Sequence, residues 1–243
     1  RVYDPIGWIA FAFSFLSLLC FIKTELGKDK PLVHVALFAN NRVFGLACLS
    51  TFLSYSASFS VAFLLSLYLQ NIVGFSPDRA GLMLIVTAAC MAVITPFAGR
   101  LSDRYPARWL ASSGLMLNAI GLMLLARLDG SQSTTYVITA QIFLGIGFGF
   151  FSAPNANRIM SSVPSQYVGQ ASASIPTMRG VGNLTSMSIV TAIFAAYLGS
   201  SMITVENSGE LMNAIRMSFT ITSVLAVLGA VASVAKGRIN DGY

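Results

Sequence analysis

Apolar residues along this chain of 243 fall in blocks about 20 long, separated by short connections that carry most of the charge. At 1.5 Å of rise per helical residue, each block is long enough to cross a hydrocarbon layer roughly 30 Å thick. Seven such spans can be drawn, at 5–22, 44–68, 80–98, 109–128, 136–155, 172–198 and 215–235. The alternating ten-residue strands of a membrane β-barrel are absent. The pattern predicts an all-α, polytopic membrane protein with seven transmembrane helices.

Composition agrees with that pattern. A mean hydropathy of +0.73 and 55% hydrophobic residues are too apolar for a soluble domain. The formal charge of +6 could suggest a nucleic-acid partner, but the lysines and arginines sit at the ends of apolar blocks, which argues for membrane orientation and no nucleic acid. One set of connections holds Lys23, Lys28, Lys30, Arg42, Arg100, Arg104, Arg108, Arg158, Lys236 and Arg238. The alternate set holds only Arg1, Arg79 and Arg127, with Arg216 near its edge. The positive-inside rule therefore places the first set and the C-terminus in the cytoplasm, and Arg1 outside. Cys20, Cys48 and Cys90 all lie in apolar runs and read as small hydrophobes, so neither a disulfide framework nor a metal or other cofactor is expected. The first block has an acidic outer flank at Asp4 and no small-residue cleavage site, unlike a signal peptide. A start at Arg1 suggests a piece of a longer protein.

Several stretches depart from plain apolar helix. The connection 23–42 opens with K-T-E-L-G-K-D-K, and Pro31 then starts a short apolar run that suits an interfacial helix. His34, the one histidine, reads there as an interfacial side chain, with pH sensing as the alternative. In span two, Tyr55, Phe59 and Phe63 recur every four residues among many serines. Two readings stay open: serines bonding back to their own helix with aromatics packed on neighbours, or a cavity wall for an amphipathic ligand. Thr95-Pro96 suggests a kink or early stop for span three. Span four is apolar apart from Asn118, and span five carries G-I-G-F-G at 145–149. Three alternate glycines cannot share one helical face, so close packing on more than one neighbour, or local flexibility, is expected. Arg179 in span six lies roughly 20 Å along its helix from the polar stretch at Gln166, deep for a cation. All nine carboxylates, by contrast, fall in connections or tails. A proton carrier would have to come from sequence outside this chain.

The charged knot G-R-L-S-D-R-Y-P-A-R-W-L at 99–110 is similar to the loop signature of the major facilitator superfamily. Gly99, Leu101, Ser102, Asp103, Arg104 and Arg108 match it, while Pro106 and Ala107 stand where a glycine and a basic residue are usual. The resemblance extends further, because N-I-V-G-F-S-P-D-R-A-G-L at 71–82, G-I-G-F-G-F-F-S-A-P-N, and A-S-A-S-I-P-T-M-R-G-V-G at 171–182 look like the C-terminal half of fourteen-helix drug:proton antiporters. It implies one extra helix and its cytoplasmic connection over 1–43, then a six-helix bundle over 44–243 built as two three-helix repeats, although no sequence echo between repeats is evident. The aspartate and arginines of the loop would latch helix ends on the inner face. By position, Tyr55, Phe59, Phe63, Gln141 and Asn155 become candidates for the substrate cavity, and Arg179 for a gate or coupling residue.

The function implied by this resemblance is proton-coupled efflux of small amphipathic compounds across the plasma membrane by alternating access, completed by a missing N-terminal half. An uptake carrier for a small metabolite is an alternative within the same resemblance. A seven-helix G-protein-coupled receptor is a further alternative, since Asp103-Arg104-Tyr105 ends span three on the same side. Span seven lacks N-P-x-x-Y, however, and the outer loops offer no cysteine pair. Enzymatic chemistry is not expected, because no nucleophile, base or metal ligands cluster.

Overall fold

The computed structural model describes residues 41–130, 132–199 and 208–235, with five isolated helical positions before them: Phe13, Leu16, Ser17, Cys20 and Lys23. Apart from those positions, the predicted span 5–22 lies outside the described residues, as do the interfacial helix and His34. The described helices are α1 (Arg42–Ser58), α2 (Val61–Leu67) with a π turn at Tyr68–Ile72, α3 (Pro77–Ser102), α4 (Ala107–Ala126), α5 (Thr134–Ser161), α6 (Val168–Leu198), entered through a 3₁₀ turn at Ser165–Tyr167, and α7 (Ser208–Val234). Taking α1, α2 and the π turn as one span, six helices are long and apolar enough to cross a membrane. They correspond to spans two to seven, and the protein is a multi-pass membrane protein.

Local sequence explains the helix ends. Asn41 caps α1, its Oδ1 accepting the Phe44 N–H at 3.0 Å. Pro77 and Asp78 open α3, where a missing N–H costs nothing and a carboxylate meets the positive end of the helix. Glu210 does the same in the first turn of α7, so both acids lie inside helices, at their ends. Gly199, at φ +59°, ends α6. Pro96 does not stop span three: α3 continues to Ser102, and α5 likewise runs through Pro154 to Ser161. A membrane-spanning helix tolerates an internal proline, at the loss of one backbone hydrogen bond, that to the Ala92 carbonyl in the case of Pro96.

The packing has an exchange pattern. α1 packs on α6 and α7, α5 packs on α3 and α4, and α4 packs on α7. Swapping the first three spans for the last three reproduces this set of contacts, as two three-helix repeats require. α3 and α6 exchange with each other and are the least covered: 6% and 28% of their most apolar stretches are buried, against 44–50% for the other four spans. Their uncovered faces carry Leu82, Ile85, Val93 and Phe97 on α3, and Val181 and Leu184 on α6.

Glycines set the closeness of these crossings. A Cβ on Gly147 would lie 2.5 Å from the Asn118 nitrogen and 2.6 Å from the Gly114 carbonyl oxygen on α4. On Gly145 it would lie 2.5 Å from the Thr87 carbonyl oxygen, and on Gly149 2.9 Å from Ile94, both on α3. The alternate glycines thus press α5 against two neighbours, as their spacing predicted, by close packing.

Four contacts tie the lysine- and arginine-rich connections to one end of the bundle. Asn41 Nδ2 donates to the Ser162 carbonyl at 2.5 Å, and Asn157 Nδ2 to Ser102 Oγ at 3.1 Å. Arg158 Nη1 donates to the Ser233 carbonyl at 2.5 Å, and Ser233 Oγ to the Arg108 carbonyl at 3.4 Å. At the opposite end, Arg216 Nε donates to the Leu128 carbonyl. The described parts of the connections grouped by charge therefore share one end of the fold.

Gly147→Leu is expected to destabilise the purified full-length protein by ~2 kcal/mol or more, since backbone has no room to yield. Gly169→Ala, with nothing within 4 Å of its Cβ, should leave the melting temperature unchanged. Equal melting of both variants would contradict the close crossing.

Candidate functional site

Span two breaks where its serines and aromatics concentrate. α1 ends at Ser58, Phe59 and Ser60 form a turn, and α2 starts at Val61. The Ser60 N–H donates to Ser186 Oγ on α6 at 3.1 Å, and the Ser186 hydroxyl donates in turn to Ser60 Oγ at 3.0 Å. With no water in the hydrocarbon, a helix break needs such a partner from a neighbour.

Beside the break lies a cavity of about 380 Å³ between α1, α2, α3, α4 and α5. Tyr55, Phe59, Met91, Leu144 and Phe148 give it an aromatic and apolar wall, and Ser58, Thr87 and Asn118 supply polar groups. Ser58 Oγ donates to Asn118 Oδ1 at 3.2 Å, and Thr87 Oγ1 to Gln141 Oε1 at 3.2 Å. The Tyr55 and Phe148 rings meet edge to face at 5.2 Å. Such a surface suits an amphipathic molecule with few hydrogen-bonding groups.

The five cavity candidates separate. Tyr55 and Phe59 line the cavity. Phe63, carried by α2 beyond the break, is outside the lining and packs on Phe194 at 6.3 Å, because the turn at Phe59–Ser60 ends the four-residue register. Gln141 is fully buried behind Thr87. Asn155 is buried against α1, its Nδ2 donating to the Ala47 carbonyl at 3.1 Å and to Thr51 Oγ1 at 2.8 Å. Within span two, Ser50 and Thr51 bond back to Leu46 and Ala47, while Tyr55 and Phe59 line the cavity. Phe148, Met91, Thr87 and Asn118 were missed as lining residues, although Asn118 was visible as the one polar side chain of an apolar span.

Three arginines in the bundle have different surroundings. Arg158, 9% exposed, reaches the Ser233 and Ala235 carbonyls, and Arg216 reaches the Leu128 carbonyl. Each places a cation on the unsatisfied carbonyls at a helix C-terminus, of α7 and α4 respectively. Arg179 has no such partner. α6 begins at Val168, which leaves Arg179 about three helical turns from its start. Gly182, one turn further on, lets α6 approach Phe52 and Tyr55, and the Arg179 guanidinium stands 5.2 Å over the Tyr55 ring. In the loop, Ser102 bonds Gly99 and Asn157, Arg108 stacks on Trp109 at 5.5 Å, and Asp103 and Arg104 are exposed, with no ion pair shown for either among the described residues.

Six apolar spans of membrane-crossing length, packed so that the first three exchange with the last three, define a helical multi-pass membrane protein. The chain belongs to the Major Facilitator Superfamily, whose family model matches residues 47–238. It is a transporter-family chain and not an enzyme. It is 30% identical over 174 residues to the riboflavin transporter RibZ of Clostridioides difficile, covering 72% of this chain and 36% of RibZ. It is 26% identical over 224 residues to the lincomycin resistance protein LmrB of Listeria innocua, covering 90% and 47%. A third relative, the multidrug resistance protein Stp of Mycobacterium tuberculosis, is 25% identical over 182 residues, covering 75% and 34%. The chain thus spans less than half the length of these relatives. The family match takes in Asp103-Arg104-Tyr105, and nothing favours the receptor alternative.

Arg158→Met should lower the stability of the purified full-length protein by about 2 kcal/mol, because the α7 carbonyls lose a charged donor. Arg179→Met should cost less than half of that, since it gives up only a ring contact. Comparing melting temperatures checks both; a larger loss for Arg179→Met would contradict the distinction.

Proposed function

We propose that this chain forms the C-terminal half of a proton-coupled antiporter that exports amphipathic compounds across the plasma membrane. The observation that carries the reading is the aromatic cavity of about 380 Å³ at the broken span. Relatives named for lincomycin and multidrug resistance support an exporter of varied apolar compounds. An apolar wall with few polar groups suits loose selectivity, because apolar contact discriminates weakly between compounds of similar size. The preceding part of the protein supplies the other wall of the pathway and the intramembrane acid that carries the proton, and it docks on the uncovered faces of α3 and α6. Transport then needs no covalent step: two bundles rock about the cavity and open it to one side at a time. The charge-rich end of the bundle is cytoplasmic, with the C-terminus inside and the start of the chain outside. Asp103, Arg104 and Arg108 of the loop engage the inner helix ends in one of the two states.

The test is efflux of a fluorescent amphipathic dye from cells that express the full-length protein. Tyr55→Ala, which removes the aromatic wall, and Ala62→Trp, which fills the cavity, should each slow efflux roughly tenfold at equal expression. Leu228→Ala, on the outer face of α7, should not. Unchanged efflux in both cavity variants would remove the cavity from the pathway, and no dye export by the unaltered protein would defeat the exporter reading.

A further inference from the structure

A groove of about 270 Å³ runs between α4 and α7. Met116, Ile120, Met123 and Arg127 line it at steps of four, three and four residues, so they form a single line along α4. Ser223 and Val227 contribute the α7 wall. Asn118, which lines the large cavity at the broken span, lies about 200° round α4 from Met116. Groove and cavity therefore open on opposite sides of that helix.

The groove asks for hydrocarbon along its length. Met116, Ile120 and Met123 are 45–50% exposed. The buried hydroxyl of Ser223 is already used, donating to the Thr220 carbonyl at 2.7 Å. Met116 to Arg127 covers about 16 Å of helix, and one leaflet of a bilayer's hydrocarbon core is about 15 Å thick. The apolar line thus runs one leaflet deep and ends in an exposed cation at headgroup level.

A second cation reaches the same end. Arg216 precedes Ser223 and Val227 by seven and eleven residues, on the same line of α7. Its Nε donates to the Leu128 carbonyl, next in the chain after Arg127. Asp129 offsets one of these two charges, and Glu210 stands about 120° round α7 from the line, so a net positive charge remains at the end of the groove. Guanidinium groups match the oxygens of a phosphate.

We propose that the groove holds one phospholipid of the surrounding bilayer, with an acyl chain along the α4 line and its phosphate against Arg127 and Arg216. The lipid fastens α4 to α7 on the side turned away from the large cavity. It does so whether or not the protein exports amphipathic compounds.

Native mass spectrometry of the purified full-length protein, titrated with dioleoylphosphatidylglycerol, tests the site. One lipid should bind about tenfold more tightly than those that follow, and than dioleoylglycerol, which has the same chains and no phosphate. Arg127→Gln, at an exposed position, and Ile120→Trp, which fills the groove, should each weaken this first lipid about tenfold. Arg127→Gln carries the test if Ile120→Trp lowers the melting temperature. Arg79→Gln, the same charge change at the start of α3, should leave binding unaltered. Unchanged affinity in Arg127→Gln would overturn the proposal, as would an equal loss in Arg79→Gln, the mark of an ordinary lipid shell. A dimer that Ile120→Trp abolishes would assign the groove to a second copy, and an exported dye whose binding Ile120→Trp abolishes would assign it to the transported compound. Either result overturns the phospholipid.

Discussion

Hydrocarbon offers no hydrogen bonds, and that deficiency governs this structure. Every polar group taken into the bundle must find a partner there, at a cost of several kcal/mol if it fails. The broken span can exist because Ser186 meets the exposed backbone at Ser60. Arg158 can be buried, and Arg216 partly buried, because each caps a helix whose last carbonyls have no partner of their own. Against that background the few unmet atoms stand out, Gln141 Nε2, Asn155 Oδ1 and Arg179 Nε among them.

Close packing supplies what the hydrophobic effect cannot, since lipid tails are as apolar as leucine. Gly145, Gly147 and Gly149 draw α5 onto α3 and α4, and Gly182 draws α6 onto α1. These contacts follow the exchange of the two triplets, each of which sends its first span between the second and third spans of the other. The crossings hold the bundle as one body while α3 and α6 keep apolar faces uncovered. A rigid body with two open faces can rock against a second body without unpacking its own core.

Much of this was legible in the sequence, for physical reasons. Block length gave the spans because bilayer thickness imposes it, and basic residues gave the pairing of connections because charge stays at the ends. The alternate glycines announced two neighbours. At Pro96, where local propensity predicted a kink or early stop, the helix runs on to Ser102. Phe63 was misplaced because a four-residue repeat assumes an unbroken helix, and only the turn at Phe59–Ser60 reveals otherwise. Phe148 and Met91 stayed hidden because nothing in an apolar span marks the residue that faces a cavity. The contrast between Arg158, Arg216 and Arg179 lies in what surrounds them, which composition does not record.

The central claim is that compounds pass through the cavity beside the break in span two. Its most direct test is alkylation of Ala62→Cys in the full-length transporter, otherwise free of reactive cysteines, by a membrane-permeant maleimide, with and without a compound the protein exports. The account predicts that labelling slows as the compound saturates transport. Labelling at the same rate while export continues would contradict it.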